Sequence, residues 1–200
     1  LQTLIDGYHN FRRDTWPDDR ARYEALATWG QRPHTLVIAC SDSRVDPQTV
    51  FGAVPGELFV VRNVAGLVPP YMPDAKYHGT SAAVEYAVRV LQVERVVVLG
   101  HAQCGGVRAM VEGVPEEARD FVAPWIEIAR PALAAPPPAG VDVLHHYENE
   151  VVRLSLANLL AFPWIEQAVG EGRLALGGFR FDIHTGELSR LVDDGFVAVG

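Results

Sequence analysis

Arg95-Val96-Val97-Val98-Leu99-Gly100-His101-Ala102-Gln103-Cys104-Gly105-Gly106 carries the fold and the chemistry in twelve consecutive residues. A short β-branched run that is apolar throughout reads as a strand buried on both faces, the habit of parallel sheets. It ends at a glycine and is followed at once by polar His101 and Cys104, while Gly105 and Gly106 open a helix. Two similar runs lie upstream, Thr35 to Ala39 followed by Cys40, and Leu58 to Val61. Between the second and third runs, Thr80 to Leu91 places Ala83, Val84, Ala87, Val88 and Leu91 at helical spacing behind a Thr/Ser cap, which predicts a crossover helix.

Strand and helix alternate, so an α/β class is expected: a mainly parallel β-sheet flanked by helices. Downstream, Pro136-Pro137-Pro138 reads as a loop and Val141 to Leu160 as a long helix. After Pro163 a short helix should end near Gly170 or Gly172. Arg173 to Ile183 then reads as a strand and His184-Thr185-Gly186-Glu187 as a hairpin turn. Residues 1–33 read as a helical arm of two helices, the second opening at Pro17, packed outside the sheet or on a partner. Residues 34–200 form the α/β core, and residues 1–200 make a single domain.

Composition narrows the function classes. A formal charge of −8, with 17 Lys and Arg residues scattered along the chain, opposes binding to phosphate backbones, so no nucleic-acid partner is expected. No apolar run approaches the roughly 18 residues of a membrane span. Leu1 to Asn10 shows no basic segment followed by an apolar stretch, so no export signal is visible and a cytoplasmic location is expected. Two cysteines are too few for a disulfide scaffold and are free for metal binding or catalysis.

Taken singly, each cysteine fits a small buried hydrophobe. Their joint placement says more, because Cys40 and His101-Ala102-Gln103-Cys104 both follow strands whose carboxyl ends would be adjacent, where α/β sheets bind ligands. A closed structural zinc site needs four protein ligands, often from C-x-x-C pairs, and none is present. Cys40, His101 and Cys104 would leave one position of a tetrahedral zinc open, an arrangement suited to catalysis. Zinc, two thiolates and a neutral imidazole sum to zero charge, so a hydroxide and a carboxylate compete for the vacancy on equal terms.

Asp42 is the candidate carboxylate. In Cys40-Ser41-Asp42-Ser43-Arg44 the guanidinium can clamp it across a tight turn, holding it off the metal and ionised. The helix opened by Gly105 would present N–H groups to the Cys104 thiolate. His145 and His146, about 100° apart on a helix, cannot share an ion. His34, His78 and His184 have no partner at metal spacing, and His9 lies in the N-terminal arm.

Through Cys40-Ser41-Asp42-Ser43-Arg44, Arg62-Asn63-Val64-Ala65 and His101-Ala102-Gln103-Cys104-Gly105-Gly106, the chain resembles the β-class carbonic anhydrases. The likeness resumes at Ser155-Leu156-Ala157-Asn158-Leu159 and Gly178-Phe179-Arg180-Phe181-Asp182. The resemblance implies an antiparallel edge strand, N-terminal helices embracing a partner subunit, self-association as a dimer or larger even oligomer, and one Zn2+ per subunit. It implies a lyase, carbonate dehydratase, in which zinc-bound hydroxide attacks carbon dioxide to give bicarbonate and a proton. Asp42 and Arg44 take the catalytic roles, with Asp42 accepting a hydrogen bond from the hydroxide.

Gln31, Phe59, Val64, Tyr86 and Gly105 match the family's substrate pocket, and the one that holds Tyr86 is its own or a neighbour's. A regulated subgroup, in which the aspartate swings onto zinc, carries a tryptophan where this chain has Val37, so Asp42 is expected to stay with Arg44. Because thiolates donate more charge than imidazoles, the zinc water should be less acidic than on a three-histidine site, where its pKa is about 7, and activity should rise toward alkaline pH. Two other readings share the motif: hydrolysis of carbon disulfide or a related linear molecule, and a non-catalytic zinc-binding regulatory protein.

Overall fold

Six strands form one sheet in the order β2-β1-β3-β4-β5-β6 in a computed structural model that describes every residue except positions 75 and 194. These are β1 (Thr35–Cys40), β2 (Leu58–Asn63), β3 (Arg95–His101), β4 (Ala175–Phe181), β5 (Leu188–Val192) and β6 (Gly195–Ala198). The first four are parallel, with Ala39 opposite both Arg62 and Leu99, and Cys40 opposite Asn63. β5 and β6 are antiparallel, so the expected antiparallel edge is two strands wide. The predicted turn joins β4 to β5. Asp182 Oδ1 accepts from the N–H groups of His184 and Thr185, and Gly186 supplies a φ of 75°.

Both faces of the parallel part are covered, which is why its strands are apolar without alternation. Leu36, Ile38, Val96 and Val98 pack on one side with Val84, Ala87, Val152 and Leu159. Val37, Ala39 and Leu99 pack on the other with Val45, Phe51 and Phe179.

The helices are α1 (Gln2–Asn10), α2 (Trp16–Trp29), α3 (Pro47–Phe51), α4 (Gly79–Glu85), α5 (Gly105–Glu112), α6 (Val122–Ile126), α7 (Val143–Leu160) and α8 (Pro163–Gly170). α4 continues through a π-helical turn, Tyr86–Val90, as the expected crossover. α3, α6 and the 3-10 turns Glu116–Ala118 and Glu127–Ala134 have no counterpart in the sequence reading, and α3 and α6 are too short to show a 3.6-residue period.

α7 starts where Asp142 accepts from His145 N–H and lies across β3 and β4. Close approach there requires glycine: a Cβ on Gly100 would stand 2.6 Å from Val152 Cγ2, and one on Gly178 2.9 Å from Val152 Cγ1. Farther along, Ser155 Oγ accepts from Val68 N–H at 3.2 Å and Asn158 Nδ2 donates to Val68 O at 2.8 Å. Ser155 is fully buried. Ser155→Ala should therefore strand a buried N–H and lower stability by about 1–3 kcal/mol, read by urea denaturation.

The N-terminal arm differs from expectation. α1 and α2 are one continuous helical run joined by a π-helical turn, Phe11–Thr15, in which Trp16 N–H reaches Phe11 O. Pro17 has no N–H to give and its ring crowds the preceding turn; widening that turn lets the helix pass through instead of stopping. No residue of α1, the π-helical turn or α2 is buried, and Leu4 and Tyr8 are 75% and 57% exposed. Among the described residues no helix is long and apolar enough to cross a membrane.

Candidate metal centre

Strand order places the site. The chain winds from β1 to β2 on one side and returns past β1 to β3 on the other, so a crevice opens at the carboxyl ends of β1 and β3. Cys40 is the last residue of β1, His101 the last of β3, and Cys104 caps the start of α5. All three are buried, and their ligand atoms lie within 4.8 Å of one another. No other group of three metal-ligating side chains occurs among the described residues.

The geometry fits a tetrahedral ion. Two sulfurs each about 2.3 Å from such an ion stand about 3.8 Å apart, against 3.9 Å between Cys40 Sγ and Cys104 Sγ. His101 Nδ1 donates to Ala102 O at 2.8 Å, which leaves the lone pair on Nε2. Nε2 is buried with no hydrogen-bond partner. A buried polar atom is rarely left so, and its neighbours, two sulfurs, are what a zinc ion would share with it.

The same donors perturb one another. A hydrogen bond from Cys104 draws the Cys40 thiol down to about 4 against the opposing effect of burial, with His101 adding to the fall. Cys104 moves up, because it is the partner that keeps the shared proton and because it is buried. The N–H groups of Val107 and Gly106 at the start of α5 work against that rise, as the helix-opening glycines predicted. Burial lowers His101, but the neighbouring Cys40 outweighs it and the net shift is upward.

Asp42 and Arg44 form the expected clamp. Asp42 Oδ1 accepts from Arg44 N–H and Nε at 2.9 Å each, and Oδ2 accepts from Nη2 at 2.7 Å. The guanidinium holds the carboxyl far below the usual carboxylate range. Oδ2 is also 4.0 Å from His101 Nε2, so the carboxylate stands beside the candidate ligand cluster while bound to arginine.

Arg62 reaches across from β2 to three carbonyls of the ligand loop, donating from Nε to Cys40 O at 3.0 Å and from Nη2 to Asp42 O at 2.6 Å and Val45 O at 2.9 Å. Gly106 must be small, since a Cβ there would lie 2.7 Å from Ala65 Cβ.

The carbonic anhydrase family model matches residues 35–188. A carbonic anhydrase of Pseudomonas aeruginosa is 38% identical over 201 residues, covering 96% of this chain and 87% of that one. The chain belongs to the β-class carbonic anhydrases. The β-carbonic anhydrase CcaA superposes with a TM-score of 0.88 at 32% identity, over 100% of this chain and 92% of its own. A tetrameric β-carbonic anhydrase of Sordaria macrospora gives 0.80 at 26% identity, over 100% and 98%.

As a β-class carbonic anhydrase, the chain divides its expected pocket residues between two places. Val64 follows β2 directly, at the level of Cys40, and Gly105 is the first residue of α5, next to Cys104. Phe59 lies opposite Leu36, four residues and about 13 Å along the strand from Cys40. Tyr86, 46% exposed, has its ring 5.9 Å from that of Phe59. Gln31 precedes β1, beyond the end remote from Cys40, and is exposed. Within one chain these three do not join the metal cluster.

Two residues near the site went unassigned in the sequence reading. Trp125 Nε1 donates to Val64 O at 2.8 Å. Glu148, 3% exposed, accepts from Cys104 N–H at 3.4 Å. A signal for it exists: Glu148 stands among Leu144, Tyr147 and Val151, an acid on the apolar face of a helix.

Proposed function

We propose that the chain binds one Zn2+ per subunit through Cys40, His101 and Cys104 and catalyses reversible hydration of carbon dioxide to bicarbonate and a proton. The observation that carries the reading is the buried, unpartnered His101 Nε2 facing two sulfurs, with an arginine-bound carboxylate 4.0 Å away. When bound, zinc supplies a Lewis acid and lowers the pKa of water at its open position. Asp42 accepts a hydrogen bond from the attacking oxygen and keeps it oriented; Arg44 holds Asp42 ionised and turned away from the metal. Val64 offers the substrate an apolar wall.

Gln31, Phe59 and Tyr86 complete the pocket from a second copy of the chain, because they lie at the far end of the sheet from their own ligands. The uncovered arm supports that assembly, and the Sordaria macrospora relative is tetrameric. A dimer or larger even oligomer is therefore expected. Light scattering after size exclusion should give an even multiple of the 21.9 kDa chain. A Leu4→Lys/Tyr8→Lys variant should dissociate and lose most turnover while keeping its zinc, since all three ligands come from one chain. A dissociated variant of full activity would refute the shared pocket.

The function itself is tested on one preparation assayed for zinc and for turnover of carbon dioxide and of carbon disulfide. Carbon dioxide hydration with about one zinc per chain is expected. Zinc with turnover of carbon disulfide alone would move the substrate, and zinc with neither activity would sink the enzymatic reading.

A further inference from the structure

Gln103 is held at a φ of 57°, in the left-handed region, one residue before a metal-ligand cysteine. A non-glycine residue stays there only where its surroundings over-determine it. The peptide that follows shows how. The carbonyl of Gln103 and the N–H of Cys104 belong to one rigid plane, and that plane is gripped at both ends. Arg44 Nη2 donates to Gln103 O at 3.1 Å, and Cys104 N–H donates to Glu148 Oε1 at 3.4 Å.

Glu148 is itself fixed. Arg180 of β4 donates to its Oε2 from Nε at 3.0 Å and from Nη2 at 2.9 Å, and Arg180 Nη1 lies 3.5 Å from Asp182 Oδ2. Glu148 and Arg180 are buried, 3% and 8% exposed. A buried ion pair costs desolvation and is weak evidence for stability, so its retention calls for another reason. Its geometry supplies one. The pair ties α7, β4 and the turn after β3 together at the peptide that sets the direction of the Cys104 side chain.

We infer that Glu148, anchored by Arg180, is a positioning residue for Cys104, working with Arg44 to lock the 103–104 peptide plane so that the sulfur points into the metal centre. Hydrogen bonds run unbroken from Asp42 through Arg44 and that peptide to Glu148 and Arg180. The carboxylate beside the metal and one of its thiolates are thus oriented by the same peptide. The inference rests on the zinc reading and deepens it.

The test measures how fast the purified zinc protein releases its metal to a chromophoric chelator. Glu148→Gln keeps an oxygen but turns amide hydrogens toward Arg180, and Glu148→Asp keeps the charge but withdraws it from the peptide. Both should release zinc about 10–100-fold faster than wild type, the usual effect of losing a ligand's supporting partner. Val152→Ala is the control. It loosens the same helix over Gly100 and Gly178 without touching the peptide, and it should lower the melting temperature while leaving release unchanged.

Wild-type release rates in whichever Glu148 variants fold would overturn the inference. So would equal acceleration in Val152→Ala, which would reduce Glu148 to a structural role. Wild-type protein purified without zinc would instead overturn the metal reading, and the positioning role with it.

Discussion

Replacing His101 with alanine is expected to leave the purified protein with less than about a tenth of the wild-type zinc and with no measurable hydration of carbon dioxide. The imidazole is the one neutral donor of the three, and its Nε2 is buried with no hydrogen-bond partner. Without it, two sulfurs 3.9 Å apart remain at the end of a crevice, and two protein ligands do not retain zinc against dilution. The loss should exceed the about 10–100-fold in affinity that follows removal of a supporting residue. The fold should survive, because His101 is the terminal residue of its strand and the β3 ladder from Arg95 to Gly100 is intact without its side chain. Circular dichroism and metal analysis on the same sample check both halves, and a folded His101→Ala protein with one zinc per chain would remove His101 from the ligand set.

Asp42→Asn should reduce kcat/KM by about 10²–10⁴-fold while zinc content stays at the wild-type level. The amide keeps the size of the carboxylate but loses its charge, and it can turn an N–H toward the oxygen that Asp42 would otherwise accept from. Arg44→Ala should cost a similar factor by another route. It frees Asp42 to compete for the metal and also releases Gln103 O. Since both variants break one device, the double variant should lose little more than the worse single one. Additive losses, or a drop in zinc content with Asp42→Asn, would contradict the assignment.

The pH behaviour of the pair follows in sign. Arg44, through its side-chain hydrogen bonds, depresses Asp42 in the folded state. In the folded protein Asp42 stays ionised until pH approaches that lower value, while the stability the clamp confers, complete above the unfolded pKa, is lost progressively as pH falls from the unfolded toward the folded value. Acidification through the ordinary carboxylate range should therefore leave the wild-type clamp intact, whereas Arg44→Ala should show Asp42 titrating nearer its usual value, as a carboxyl resonance followed by NMR would record.

The strands around the site were legible because a parallel sheet covered on both faces demands apolar residues without interruption, and Thr35 to Ala39 and Arg95 to Leu99 satisfy that locally. The candidate ligands were legible because Cys40 and His101 terminate such runs and Cys104 caps the helix that follows. α3 and α6 were not, being shorter than the period that announces a helix. The break expected before Pro17 was misplaced because a proline at that point can widen a turn instead of ending it, and the choice depends on what the rest of the helix packs against.

By itself, the sequence determined the α/β class, the candidate ligand set Cys40, His101 and Cys104, the Asp42–Arg44 clamp and, through resemblance, the family. These rest on residues close in the chain or on strand ends whose position follows from periodicity. Only the tertiary structure decided that Phe59, Tyr86 and Gln31 lie at the far end of the sheet from Cys40, His101 and Cys104 of their own chain, and that Glu148 and Arg180 meet under Cys104. Those relations depend on strand order, on register and on where α7 crosses β3 and β4. They are set by the packing of residues dozens of positions apart, to which no local pattern in the chain corresponds.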